Sequence, residues 1–322
     1  MNIKKIGVTA LAGALATVSA NAAELSVTGG ASLGFSGEEM TDKGNGWTMN
    51  DTISFAASAE MDNGWVVSTS MMIDSGDNAG VRNIDNRSMT IDMGDAGTLT
   101  FYGSAGSSNI SLMDDTTPTA GEESWDDVSG ATAHAYGPTG LDTFFYQNSS
   151  LIDGVTIGLD YIPSDGASQI ESSTAATIKY TGIDGLTIGA GVGEDNGEGP
   201  TDSDDVTAFN VTYAMDAISV GYSSYEVDTN NAGNSTAGTS FVGDTTLTAM
   251  GISYAVSDDL SVSINSSETE IQGLTDQEAL GISASLVVGS MTLSANHNSV
   301  DNVGGTAGKD RSGYAMGLSF AF

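Results

Sequence analysis

The chain is 322 residues long, with eight basic and 42 acidic side chains, a formal net charge of −34 and no cysteine. So acidic a surface repels a phosphate backbone and excludes nucleic acid as a partner. The missing cysteines exclude disulfides, thiolate metal sites and an N-terminal lipid-modified cysteine.

MNIKK places two lysines ahead of the uncharged apolar run IGVTALAGALATV (6–18), and Ala20-Asn21-Ala22 offers small residues to a signal peptidase. This pattern predicts a secretory signal peptide over residues 1–22 and a single mature domain over 23–322. Its removal takes Lys4 and Lys5 and lowers the net charge from −34 to −36. Beyond it, no stretch approaches the ~20 apolar residues of a spanning helix. The mature chain is therefore either soluble or enters a membrane as strands.

Period-2 alternation begins at once. In LSVTGGASLGF (25–35), Leu25, Val27, Ala31, Leu33 and Phe35 share one face, and Ser26, Thr28, Gly30, Ser32 and Gly34 share the other. Ile53, Phe55, Ala57, Ala59 and Met61 follow, then an Asp62-Asn63-Gly64 turn, then Trp65, Val67, Thr69, Met71 and Ile73. Met89, Ile91 and Met93 lead through a turn at 94–97 to Leu99 and Phe101. The unit recurs near 143–148, 155–162, 174–181, 186–193, 205–214, 217–226, 245–256, 260–267, 277–287, 290–297 and 311–322, giving sixteen candidate strands.

The connections sort by length. Tight ones near 62–64, 94–97, 149–154, 182–185, 215–216, 257–259 and 288–289 alternate with long acidic ones. The long set lies near 36–51, 74–86, 103–142, 163–173, 194–204, 227–244, 268–276 and 298–310. A Greek-key sandwich has no reason to sort its loops this way, whereas an up-and-down barrel inserted from one side of a membrane does. The apolar faces are nearly free of charge, as hydrocarbon contact requires. The opposite faces are Gly, Ser, Thr and Ala, which suits a wet lumen. The expected fold is all-β, an antiparallel transmembrane barrel whose closure leaves no exposed edge.

Four features carry a family resemblance: the AELSVTGGASLGF start, the NRSMTIDMGDAGTLTFYGSAG hairpin (86–106), the long third outer loop and the GLSFAF ending. In their order and spacing the chain resembles the general porins of Gram-negative bacteria, particularly the acidic porins of alphaproteobacteria. The resemblance implies a sixteen-stranded barrel in the outer membrane, a homotrimer, and a third loop folded into the lumen. It further implies that the terminal Phe322 is the signal read by the outer-membrane assembly machinery.

The third loop, 103–142, carries Asp114-Asp115, Glu122-Glu123 and Asp126-Asp127, the candidates for a pore constriction if it folds inward. In phase with small polar neighbours, Glu60, Asp74, Asp92, Asp160, Lys179 and Arg311 are candidate lumen charges; Arg82 lies where it could reach the mouth, and Arg87 falls on the outer face. Excess carboxylate in a water-filled pore concentrates cations, so small hydrophilic solutes and a mild cation preference are expected. No cofactor is expected. Structural Ca²⁺ among the acidic loops, such as Glu194, Asp195 and Glu198 with Asp202, Asp204 and Asp205, would relieve carboxylate repulsion, although no calcium-loop spacing recurs. The two histidines, His134 and His297, lie in no nucleophile-like motif, which argues against an enzyme. The competing class is an exported structural or adhesive β-protein whose acidic loops bind cations.

Overall fold

A computed structural model describes residues 24–39, 45–74, 83–104, 106–113, 116–132, 142–164, 171–196, 203–229 and 244–322. The signal-peptide segment 1–22, Arg82, Asp114, Asp115, His134 and residues 197–202 lie outside the described residues.

The strands run β1 (Glu24–Glu39), β2 (Gly46–Glu60), β3 (Val66–Asp74), β4 (Asn83–Asp92), β5 (Thr98–Ser104) and β6 (Thr143–Ile152). Then come β7 (Val155–Ile162), β8 (Ser173–Ile183), β9 (Leu186–Asp195), β10 (Asp204–Met215) and β11 (Ile218–Thr229). The last are β12 (Thr245–Ala255), β13 (Leu260–Ile271), β14 (Gln277–Val288), β15 (Met291–Asp301) and β16 (Arg311–Ala321). Each strand pairs antiparallel with its sequence neighbours, and β1 pairs with β16, from Gly30 opposite Ala321 to Glu39 opposite Ser312. The result is a closed sixteen-stranded barrel without a sheet edge, as the alternation and the resemblance imply. Among the described residues no helix is long and apolar enough to cross a membrane; the strands supply the crossing surface.

Burial is inverted relative to a soluble sheet. Val27 is 52% exposed and Leu293 49%, while Asn298 is 1% exposed and Thr269 0%. The outward face is the oily one because the hydrocarbon of a bilayer, not water, is its solvent. Aromatic rings mark both ends of the seam. Phe35 packs on Trp47 (centroids 4.7 Å apart) and Tyr314 (6.3 Å) at one end, and Phe320 on Phe322 (6.0 Å) at the other.

Two expectations are corrected. The first outer connection is not 36–51: β1 and β2 extend until only residues 40–45 separate them. Alternation persists there, with Trp47 and Met49 outward and Thr48 and Asn50 inward, but interspersed acidic and polar residues disguise it. Likewise the sixth strand is not confined to 143–148; it continues to Ile152 through an irregularity in its pairing with β7 after Asn148.

The lumen faces are also less uniformly polar than the sequence pattern suggests. Ala175, Val206, Ala208, Tyr225, Val227, Leu247 and Ala249 point inward from β8 to β12 and form a buried apolar cluster with Ile110, Met113 and Trp125 of the third loop. A second cluster joins Val128 of that loop to Ala279, Val300 and Val303. The packed core of this protein therefore lies inside the barrel, between wall and loop.

Candidate functional site

The third loop enters the lumen because wall and loop have complementary surfaces. Apolar side chains of the loop meet apolar residues on the upper inner wall, which removes both from water. Where the loop backbone comes closest, the wall has glycine. A methyl group at Gly191 would stand 3.0 Å from Met113 Sδ, and one at Gly251 2.6 Å from the Pro118 carbonyl oxygen. Side chains at Gly158, Gly221 and Gly313 would collide with Asn109, the Pro118 ring and the Asp127 carbonyl. Missing Cβ atoms thus cut a track into the wall for close backbone approach.

Polar contacts follow that track around the barrel. At its start, the Asn109 backbone N–H donates to Asp160 Oδ2 (2.7 Å) and its Nδ2 to Asp160 Oδ1 (2.8 Å), while Gln147 Nε2 donates to Asn109 Oδ1 (2.7 Å). Midway, the Ala120 N–H donates to Ser263 Oγ (2.8 Å), and Ser124 Oγ lies 2.9 Å from Ser267 Oγ. Asn298 Nδ2 donates to the carbonyls of Glu123 (2.9 Å) and Asp126 (2.8 Å), and Asn296 Nδ2 to Asp127 Oδ2 (2.8 Å). Beyond, the Ser129 N–H donates to Glu38 Oε1, and Arg311 Nη1 to the Ser129 carbonyl. Gln277 finally takes the Thr132 N–H on Oε1 (2.8 Å) and gives Nε2 to the Thr132 carbonyl (3.1 Å). The described part of the loop is thereby held from β7 to β16 and back to β14.

The predicted site residues divide accordingly. Glu122 and Asp127 are exposed in the lumen, Asp126 is half-buried and Glu123 is buried. One carboxylate oxygen from each of Glu122, Glu123 and Asp126 lies within 4.8 Å of the others, a spacing at which one cation could bridge them. With Thr48, Ser294 and Asn296, Glu122, Asp126 and Asp127 border a recess of ≈370 Å³ beside the β1–β16 seam. Glu60 and Asp92 share the lumen face of Val66, between them in register, and Asp74 shares that of Thr52. Asp92 Oδ1 accepts the Gly94 N–H (2.9 Å), which ties it to the adjacent turn. Asp160 faces inward but is 4% exposed, covered by the loop it anchors. Lys179 is exposed, in register with Thr156 and Gly189 on the inner wall. Arg311 is committed to the loop carbonyl. Arg87 is outward, its guanidinium donating to the Gly103 carbonyl (3.3 Å).

Across from the loop, hydroxyl pairs line part of the wall from β3 to β5. Ser70 Oγ sits 3.0 Å from Ser88 Oγ, and Thr90 Oγ1 2.8 Å from Thr100 Oγ1. Among the described residues, no lysine or arginine occupies the lumen face of β1 to β5. Of the acidic loop segments singled out for calcium, Glu194 and Asp205 are direct cross-strand partners on the face that Thr207, Val192 and Phe209 mark as outward.

Sequence reasoning did not identify the anchoring residues Asn109, Asn265, Gln277, Asn296 and Asn298, or the glycine track. One signal was available: Val206, Tyr225, Val227 and Leu247 put bulky apolar residues in the lumen phase, where a water-filled wall has no use for them.

The sequence model of the Gram-negative porin family matches residues 7–270. Two mutants of a Rhodopseudomonas blastica porin superpose with TM-scores of 0.68 and 0.67 at 17% and 16% identity, each over 93% of this chain and 100% of the other. Salmonella typhi OmpF, in a complex with daunomycin, superposes with a TM-score of 0.69 at 14% identity over 95% of this chain and 99% of its own. At such identities the likeness is one of fold. No curated protein matches by sequence.

Proposed function

The chain belongs to the Gram-negative porin family and is an outer-membrane channel protein, and from that premise we propose that it is a mildly cation-selective pore for passive diffusion of small hydrophilic solutes. The observation that carries this reading is the placement of Glu122, Asp126 and Asp127 inside the barrel, while the lumen face of β1 to β5 carries hydroxyls and the carboxylates of Glu60, Asp74 and Asp92 and no described lysine or arginine. Carboxylates in a confined aqueous lumen lower the energy of a passing cation and raise that of an anion. Selection then comes from width and charge, with no covalent step and no energy coupling. The protein works as a homotrimer in outer-membrane lipid, delivered there by the assembly machinery that reads Phe322. This part rests on the family resemblance.

Reconstitution into planar bilayers tests the reading. In a potassium chloride gradient the reversal potential should take the sign of potassium preference, and insertion should occur in steps of three equal conductances. A potential of chloride sign, or silence from correctly folded protein, would overturn it.

A further inference from the structure

The acidic turn of the loop sits over one rung of the wall. Asn265 on β13, Gly281 on β14 and Asn298 on β15 are direct cross-strand partners, so they form a continuous row on the lumen face. Asn265 Nδ2 donates to the Glu122 carbonyl (3.3 Å), and Asn298 Nδ2 to those of Glu123 and Asp126 (2.9 and 2.8 Å). Between the two amides, a methyl group on Gly281 would stand 3.0 Å from Ser124 Cα and 2.6 Å from Asn298 Oδ1. Ser124 is seated there, 1% exposed, with its hydroxyl on Ser267.

We infer that the Asn265–Gly281–Asn298 rung is a positioning clamp that fixes the acidic turn 122–127 in the eyelet and thereby sets the selectivity of the pore; its effect on selectivity rests on the cation-selective reading above. The chemistry is specific. Both asparagines spend their donors on backbone carbonyls, so they fix where the turn lies without adding charge to it. Glycine between them admits the backbone of Ser124 to the wall, and the two amides flank it. None of the three needs to meet a permeating ion; they act through Glu122 and Asp126, which border the recess beside the seam. A hydrogen-bonded clamp of this kind is also dispensable for the barrel itself, because the β13, β14 and β15 ladders are made by backbone groups.

The test compares wild-type protein with Asn298→Leu, Asn265→Ala and Gly281→Ala in planar bilayers. Asn298→Leu nearly keeps the volume, adds no charge and removes both donors. Loss of two such bonds should raise the population of the detached turn roughly ten- to thirty-fold. Open-channel current noise should then rise and mean conductance shift, and the cation-to-anion permeability ratio should move from the wild-type value. Gly281→Ala should do the same by displacing Ser124. Heat-modifiable migration should stay as in wild type for all three, and Ser285→Ala, on the same strand at the rung of Ser261 and Ser294, should change nothing. A purely structural role predicts the opposite, an earlier heat transition with wild-type noise and conductance in the channels that form. That result overturns the clamp, and so do wild-type noise and conductance in all three variants. A wild-type channel of chloride preference overturns the functional reading instead, while noise and conductance still decide whether the rung holds the turn.

Discussion

Asp160 and Phe322 carry different burdens. The Asp160 carboxylate is almost sealed from water and accepts two hydrogen bonds from Asn109. Asp160→Ala would leave the Asn109 N–H with no acceptor at the point where the loop leaves the wall, a loss of about 1–3 kcal/mol of local anchoring. Conductance noise should increase while heat-modifiable migration of the barrel is retained; quiet channels would show that the apolar cluster alone holds this end. Phe322 closes the seam by exchanging two backbone hydrogen bonds of 2.9 Å with Gly29. Its ring lies over the same glycine, where a Cβ would come within 2.7 Å. Deleting Phe322 removes these contacts together with the exposed aromatic terminus. The yield of assembled protein should fall severalfold, with normal unitary conductance in what does assemble. Normal yield would remove the terminal residue from the assembly step.

At the scale of elements, the strands were legible and the loop was not. Alternation is written locally, residue by residue, so Leu25 to Phe35 declares both the strand and its outward face without knowledge of any neighbour. Alternating connection lengths extended that to topology. What the third loop does depends on non-local pairs such as Pro118 with Gly221 and Gly251, more than a hundred residues away, and no local pattern encodes those. Its direction inward came from resemblance. Among the charges, phase gave the correct wall face for Asp160 and Arg311 but could not reveal that the loop covers one and binds the other. The same non-local packing makes the loop separable from the barrel. Trp125, 5% exposed in the luminal cluster, has no part in the strand ladders. Truncation of a buried tryptophan costs about 3–5 kcal/mol, and here the loss falls on docking of the loop. Trp125→Ala should open the loop to limited proteolysis and raise unitary conductance in a barrel that still migrates as folded. A protected loop would mean that the hydrogen bonds along the track suffice.

For the whole molecule, the excess of 42 acidic over eight basic groups acts through a field, and fields in water are screened. Carboxylates exist on both surfaces of the wall. Glu122, Asp126 and Asp127 stand in the lumen, whereas Glu268 and Glu278, and Glu278 and Asp301, are neighbours across strands in the phase of outward Ile282 and Leu280. Like charges directly opposite repel, so these groups also gather counter-ions around the barrel. Two origins of cation preference then make different predictions. If preference arises from the summed potential of the mouth and lumen, it should decay as the Debye length shrinks from about 10 Å at 0.1 M salt to about 3 Å at 1 M. If it arises from direct ion contact with Glu122 and Asp127, screening has little space in which to act. The eyelet carboxylates are partly exposed and face a wall of hydroxyls and further carboxylates, Glu60, Asp74 and Asp92, so the field should dominate. Reversal potentials at a fixed concentration ratio should therefore give a permeability ratio that falls toward unity between 0.1 and 1 M mean salt. Glu122→Gln with Asp127→Asn should lower the low-salt ratio severalfold and flatten its salt dependence. A ratio independent of salt would assign selectivity to contact and not to the field.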